Sequence, residues 1–290
     1  MSRHYVIVGG GPAATNAMST LRQIESNDAR ITLVCDEPAH SRMALPYWLS
    51  GNISREQSFT ADDSHFEALN VNAHLNVRAE SIDPQQQTVR LSDGKVLTYD
   101  KLLLATGSSP RKPDIPGIDL PGVQPLWTID HAQSALDVTS NVSSPRVVLV
   151  GAGFIGFIVL GAMFKRGWRL RVVERETQVL PRMLDTQAAE IVQSWLTERD
   201  IPVHTGATVT SITADGGERI VHLADGSHLA ADLVIVATGV KANTQLAKHS
   251  GIAADEGILV DRYMQTNQPN IYAAGDVAQG PVLFSDTAQI

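Results

Sequence analysis

A short β-type run ending in a glycine-rich loop occurs twice in this chain, and that repetition constrains the fold more than any other feature. The first copy reads Tyr5-Val-Ile-Val-Gly-Gly-Gly-Pro-Ala-Ala14 and the second Val147-Val-Leu-Val-Gly-Ala-Gly-Phe-Ile-Gly156. Each leads into a helical stretch and then a short strand closing on an acid, Ile31–Asp36 and Leu170–Glu174. Each half later reaches a hydrophobic strand and an Ala-Thr-Gly turn, at 105–107 and 237–239. The glycine loops are offset by 142 residues and the Ala-Thr-Gly turns by 132. Three features recurring in one order predict an α/β chain of two nested Rossmann-like domains.

The boundary lies where five prolines and two glycines fall between Ser108 and Pro125, a stiff crossing segment. The first domain is expected to run to about residue 112, where this segment crosses into the second. Beyond Gly239 the sequence suggests a short helix within Asn243–Gly251, then strands near Gly257–Asp261 and Asn270–Asp276. The last residues, Ser285–Ile290, carry no stop signal and read as an element cut short.

The physics of the loops points to phosphate. Gly9, Gly11 and Ala14 fit the pattern G-x-G-x-x-G/A between a strand and a helix, with Pro12 and Ala13 inside it. Glycine serves where the backbone turns sharply and where a side chain would strike a pyrophosphate. The helix N-terminus beyond offers unpaired N–H groups and a partial positive charge. Asp36, twenty-two residues after Ala14, stands where an acid accepts from a ribose hydroxyl, with Glu37 beside it. Gly151, Gly153 and Gly156, enclosing Phe154 and Ile155, repeat the pattern, with Glu174 eighteen residues further on. A carboxylate there favours a free 2′-hydroxyl over a 2′-phosphate, hence NADH over NADPH, while Arg175 next to it is suited to a phosphate. The plainer reading of any one such loop is a turn that merely packs helix on strand. Its duplication argues for two bound nucleotides, and a flavin with a nicotinamide is the obvious pair.

Composition narrows the partners. With 23 Lys and Arg against 31 Asp and Glu, the net charge of −8 and the lack of a basic cluster argue against nucleic acid or an anionic membrane surface. The one cysteine, Cys35, forms no internal disulfide and fits a reducing cytoplasm; placed in an apolar strand, it reads as a small buried hydrophobe. Val147–Phe164 is eighteen residues without a charge, but its four glycines and β-type start mark a strand, a turn and a buried helix instead of a membrane span. The nine histidines show no metal-ligand spacing.

These motifs resemble the FAD-dependent pyridine-nucleotide oxidoreductases with two dinucleotide-binding domains, over nearly the whole chain. The resemblance implies a discontinuous FAD domain, 1–112 plus 244–290, and an inserted NAD(P)H domain, 113–243, with a C-terminal interface domain missing. Its FAD contacts map to Gly9, Gly11, Pro12, Ala13, Ala14, Asp36, Glu37, Ala105, Thr106, Gly107 and Asp276. Ala79 resembles an adenine-contacting position, although an ordinary strand alanine explains it equally. Ser41-Arg-Met-Ala-Leu-Pro-Tyr47 is similar to the segment over the flavin in NADH:rubredoxin or ferredoxin reductases and in the flavin part of NADH nitrite reductases. It singles out Arg42 and Pro46, with a solvated surface charge as the alternative for Arg42. Nucleotide contacts on the second domain map to Gly151, Gly153, Phe154, Ile155, Gly156, Glu174, Arg175 and Gly239.

Met43 occupies the place of the redox cysteine in other branches, and no Cys-x-x-Cys exists, so thiol-based redox chemistry is excluded. Ile158 stands where relatives carry a glutamate near the nicotinamide, and Lys241-Ala-Asn243 where they often read Arg-Pro-Asn. The implied activity is hydride transfer from nicotinamide to flavin, then electrons to a redox-protein or small-molecule acceptor. Alternatives are the flavin part of a nitrite reductase-type complex, or a non-catalytic flavoprotein subunit or redox sensor. A homodimer, or a partner chain supplying the missing end, is expected. No side chain is assigned as an acid–base catalyst and none as a metal ligand.

Overall fold

His4–Val8 carries the β-branched run Val6-Ile7-Val8 up to Gly9, and in the computed structural model it forms the centre of a parallel sheet. The structure describes residues 2–25, 28–281 and 288–289. The first sheet runs, in spatial order, Ile271–Ala273, Lys101–Leu104, His4–Val8, Arg30–Cys35 and Val71–Leu75, all parallel. Alternate residues of the central strand serve two cores. Tyr5 and Ile7 pack with Ala14 and Met18 of the helix Pro12–Glu25, while Val6 and Val8 pack with Val89, Leu91 and Ile271.

The second sheet repeats this plan: Val123–Gln124, Leu233–Val236, Arg146–Val150, Arg169–Val173 and Val203–His204, again all parallel. The edge strand Val123–Gln124 comes from the proline-rich crossing segment, which the sequence reading treats only as a connector. It pairs with Val234 as Ile271 pairs with Leu102, so an inserted domain draws its outer strand from the chain that enters it. Each sheet has a three-stranded antiparallel meander: Ala79–Asp83, Thr88–Leu91 and Val96–Thr98 in the first half, and Val209–Asp215, Glu218–Leu223 and His228–Ala231 in the second. Both meanders slip register near their start, between Ala79 and Ser81 and between Val209 and Ser211.

The repetition extends to single hydrogen bonds. The His4 N–H donates to Asp100 Oδ2 at 2.7 Å and the Arg146 N–H to Asp232 Oδ2 at 2.8 Å, each pinning the start of a central strand. The uncharged run that raises the question of a membrane span divides into the strand Arg146–Val150 and the helix Phe154–Lys165. Among the described residues no helix is long and apolar enough to cross a membrane.

Packing divides the chain into Met1–Ser41, Glu56–Ser109 and Lys241–Ile290 as one unit, and Arg42–Arg55 with Pro110–Val240 as the other. The excursion Arg42–Arg55, expected within 1–112, therefore belongs to the second unit. Its short helix Leu45–Leu49 buries Leu45, Pro46, Trp48 and Leu49 and packs on the helices Ile129–Thr139 and Phe154–Lys165. Of the chain's end, Ser285–Asp286-Thr287 and Ile290 lie outside the described residues, and Ala288–Gln289 pairs antiparallel with Gly280–Pro281.

Candidate dinucleotide-binding sites

In the first unit the strand His4–Val8 delivers Gly9 into a turn fixed by two backbone bonds, Gly9 N–H to Val34 O and Ala105 N–H to Val8 O, both 2.8 Å. Gly9 has φ +115°, and a Cβ there would run into the Ala105 carbonyl oxygen, so the chain itself demands glycine. Gly11 differs: a Cβ built on it meets no described atom within 4 Å. That open direction faces away from the protein and leaves room for a phosphate. Pro12 starts the helix where its missing N–H costs nothing, and Ala14, fully buried, lets the helix sit close to the strand.

The other predicted residues of this unit gather around the loop. The Gly275–Asp276 turn lies against Ala13, with a Cβ on Gly275 only 3.0 Å from the Ala13 methyl. Asp276 Oδ2 accepts from Ser108 Oγ at 2.8 Å, which ties it to the Ala105–Gly107 turn. Gly10 rests on Cys35, and the following Asp36 is exposed and paired with Arg78 Nη2 at 2.9 Å, one residue from the buried Ala79. Glu37 Oε2 lies 4.0 Å from the buried His40. Arg42 and Pro46 are not gathered within this unit. Arg42 lies in the second unit, its guanidinium 5.3 Å from the Trp127 ring centroid, and Pro46 is buried there.

The second unit builds the same turn from Gly151 N–H to Val173 O and Ala237 N–H to Val150 O, both 2.8 Å. Gly151 (φ +102°) faces the Ala237 carbonyl, Gly153 opens onto space, and a Cβ on Gly156 would approach Gly151 O to 2.5 Å. The three glycines thus perform three tasks: a sharp turn, open access, and close helix-to-strand packing. Phe154 is exposed at the head of the helix and Ile155 half-buried. Gly239 has φ +101° and accepts from the Arg111 N–H at 2.8 Å.

The acids at the two strand ends are not equivalents. Register pairs Val8 with Val34 and Val150 with Val173, which puts Glu174 in the place of Cys35 and Arg175 in the place of Asp36. Glu174 is only 8% exposed; Oε2 accepts from Ala152 N–H at 2.6 Å and Oε1 from Glu176 N–H at 2.9 Å. Each carboxylate oxygen keeps a further lone pair, so the group holds the loop and still has capacity for a ribose hydroxyl. Arg175 is exposed and paired with Glu176 at 3.1 Å.

Both helices that follow the loops lack an acidic residue in the first turn, and Gly153 supplies no side-chain cap. Their leading N–H groups and dipoles are therefore available to an external anion. Together with the open directions at Gly11 and Gly153, this fits the pyrophosphate of a dinucleotide in each unit. Among the described residues no group of three or more His, Cys, Asp or Glu could hold a metal ion. Asn243, Ser108 and Ser109 were not singled out as site residues by sequence. Two signals in the sequence point to Asn243: its place in Lys241-Ala-Asn243 and the 132-residue offset that makes it the counterpart of Arg111.

Two such cradles in one chain define an α/β protein built around a pair of dinucleotides. The family described as pyridine nucleotide-disulphide oxidoreductase matches residues 3–289, and the chain belongs to it. It is 32% identical over 285 residues to the NADH-dependent phenylglyoxylate dehydrogenase subunit epsilon of Aromatoleum evansii, covering 98% of this chain and 67% of that protein. Over 281 residues it is 34% identical to rhodocoxin reductase of Rhodococcus erythropolis, covering 96% of this chain and 65% of that one. The crystal structure of the ferredoxin reductase for the CYP199A2 system from Rhodopseudomonas palustris superposes with a TM-score of 0.92 at 28% identity, over 100% of this chain and 72% of that one. Across curated relatives the chain spans between 34% and 67% of their length.

Proposed function

We propose that this chain is an FAD-dependent NAD(P)H:acceptor oxidoreductase, with FAD on the first unit and NAD(P)H on the second. When bound, the nicotinamide and the flavin supply hydride transfer and the onward release of electrons. The protein's share is binding and orientation. The Gly11 and Gly153 loops receive the two pyrophosphates, Asp36 and Glu174 accept from ribose hydroxyls, and Ala105–Gly107 with Asp276 line the first site. The observation that carries this reading is the doubled cradle: two glycine loops, each with one glycine forced by the fold and one facing open space.

Glu174 favours NADH, since its buried charge repels a 2′-phosphate. The acceptor is a redox protein of the rubredoxin or ferredoxin kind, in a reducing cytoplasm where Cys35 stays a thiol. Likeness to a named dehydrogenase subunit supports a second reading, an electron-transfer subunit within a larger complex, with a partner chain or second copy. An anaerobic titration tests the first: NADH should bleach the flavin absorbance, with NADPH less effective. Flavin that binds but stays oxidised under NADH would favour the second, and a protein that takes up no flavin would sink both.

A further inference from the structure

The two Ala-Thr-Gly turns are latched by the same pair of bonds, one from a backbone N–H and one from the threonine hydroxyl, and differ in what the next side chain adds. In the first unit the Asn243 N–H donates to Gly107 O at 2.9 Å and Thr106 Oγ1 donates to Asn243 O at 3.0 Å. In the second unit the Arg111 N–H donates to Gly239 O at 2.8 Å and Thr238 Oγ1 to Arg111 O at 3.3 Å. Every residue in one set lies 132 positions from its counterpart in the other. The turn therefore forms on its backbone latch. The side chains then diverge: Arg111 donates Nε–H to Val240 O at 2.9 Å. Asn243 reaches into the loop, donating Nδ2–H to Thr106 O and accepting from Ser109 Oγ, both at 2.8 Å.

We propose that the Asn243 side chain is a positioning residue of the first dinucleotide site, fixing Thr106–Ser109 and, through Ser108, the Asp276 carboxylate. It spans the turn, holding the peptide before Gly107 with its amide and the hydroxyl two residues beyond with its carbonyl. Between those points Gly107 takes φ +63°, and Ser108, 3% exposed, donates to Asp276. Loss of the clamp leaves the backbone latch in place but releases the Thr106 carbonyl and the Ser109 hydroxyl, and with them the segment from which Ser108 donates to Asp276. An amide is required, because one end must donate to a carbonyl and the other accept from a hydroxyl. The second unit is the internal control: its turn holds φ +101° at Gly239 with no amide in the equivalent place.

This inference rests on FAD occupying the first site. The test compares wild type, Asn243→Ala, Asn243→Asp, Ser109→Ala and the Asn243→Ala/Ser109→Ala double variant as apoproteins reloaded with FAD. Three quantities are read: FAD affinity by fluorescence, visible circular dichroism of the bound flavin, and NADH affinity of the second site. Asn243→Ala should weaken FAD roughly tenfold or more, as two bonds are lost. It should also change the visible dichroism at saturation and leave NADH affinity within about twofold, because the second latch is untouched. Asn243→Asp keeps the Ser109 bond but turns an acceptor oxygen onto the Thr106 carbonyl, so it should weaken FAD at least as much as Asn243→Ala. Ser109→Ala should weaken FAD about threefold, but add nothing in the Asn243→Ala background. Ser109→Ala also serves alone should Asn243→Ala fail to fold. Wild-type dichroism and affinity in the variants, or equal weakening of both nucleotides, would overturn the positioning role while leaving the proposed function standing. A wild type that binds no flavin would instead remove the proposed function, and this role with it.

Discussion

Glu174 Oε2 accepts a hydrogen bond from the Ala152 N–H at 2.6 Å, so the acid at the end of one strand holds the glycine loop at the end of its neighbour. The same carboxylate also takes the Glu176 N–H at 2.9 Å. Removing a buried, doubly hydrogen-bonded carboxylate strands both N–H groups, at a cost of about 2 kcal/mol. Glu174→Ala should therefore lower the unfolding free energy in urea by about that amount and weaken NADH roughly tenfold, with a smaller loss for NADPH. Exposed Arg175 predicts the reverse: Arg175→Ala should weaken NADPH severalfold and leave NADH unchanged. Binding titrations of both nucleotides to both variants decide this, and a Glu174→Ala protein with unaltered NADH affinity would remove Glu174 from the site.

The glycines separate fold from function. Gly11→Ala and Gly153→Ala place a methyl where no described atom lies within 4 Å, so each variant should fold with stability within about 1 kcal/mol of wild type. Each should lose its own nucleotide, Gly11→Ala the flavin and Gly153→Ala the nicotinamide cofactor. Gly9→Ala and Gly151→Ala must displace the carbonyls of Ala105 and Ala237 from a positive-φ backbone and should cost several kcal/mol, on the order of 3 or more. Chemical unfolding beside ligand titration distinguishes the pairs. Tight binding by both Gly11→Ala and Gly153→Ala would show that the open directions are not where phosphates lie.

The repeat made much of the fold readable from sequence. Both glycine loops, both Ala-Thr-Gly turns and the helix Phe154–Lys165 follow from local sequence, because the turns are set by backbone sterics and the helix is a continuous uncharged apolar run after a glycine loop. What escaped depended on partners distant in sequence. The edge strand Val123–Gln124 exists only because Leu233–Val236 offers it a ladder, and nothing in its proline-rich surroundings announces that. Arg42–Arg55 joins the second unit through the burial of Leu45, Trp48 and Leu49, a tertiary preference with no local signature. The role of Glu174 was readable only in part: its position suggests a ribose contact, whereas its bond to Ala152 depends on strand register. The motif position of Asn243 is legible, but its side-chain bonds to residues 134 and 137 positions away are not, because they depend on how the returning chain meets the first Ala-Thr-Gly turn.

Tyr99 is 3% exposed, and its hydroxyl has no hydrogen-bond partner among the described residues. Burial, aided by the charge of Asp83, pushes its phenol up to about 12. A folded-state value above the unfolded value of 10 contributes stability that is complete below pH 10 and is lost as pH rises towards 12. Tyr99→Phe removes an unsatisfied polar atom without changing shape. Its stability at neutral pH should equal or exceed that of wild type by up to about 1 kcal/mol. The decline between pH 10 and pH 12 should become shallower in the variant. Urea unfolding across that range measures both, and a destabilised Tyr99→Phe at neutral pH would mean that the hydroxyl has a partner in solution.

Asp232 ties the start of the second central strand to the start of Leu233–Val236, accepting from the Arg146 N–H at 2.8 Å and from Arg146 Nη2 at 2.8 Å. Hydrogen bonds from the Arg146 side chain hold its carboxyl below the ordinary value of 3.8, against the opposing effect of burial. A depressed folded-state value gives stability that is present above the unfolded value and disappears as pH falls below it through the folded one. Asp232→Asn retains one acceptor for the Arg146 N–H but leaves the guanidinium to Glu218 alone, so it should cost about 1 to 2 kcal/mol at neutral pH. Its acid-unfolding limb should also flatten below about pH 4, because the variant has no proton to take up there. Asp100 accepts from the His4 N–H in the same way, but its partner side chain carries no guanidinium fork. Asp100→Asn should accordingly cost less, about 1 kcal/mol. Equal losses for the two variants in paired acid and urea titrations would assign the stabilisation to the shared backbone bond and not to Arg146.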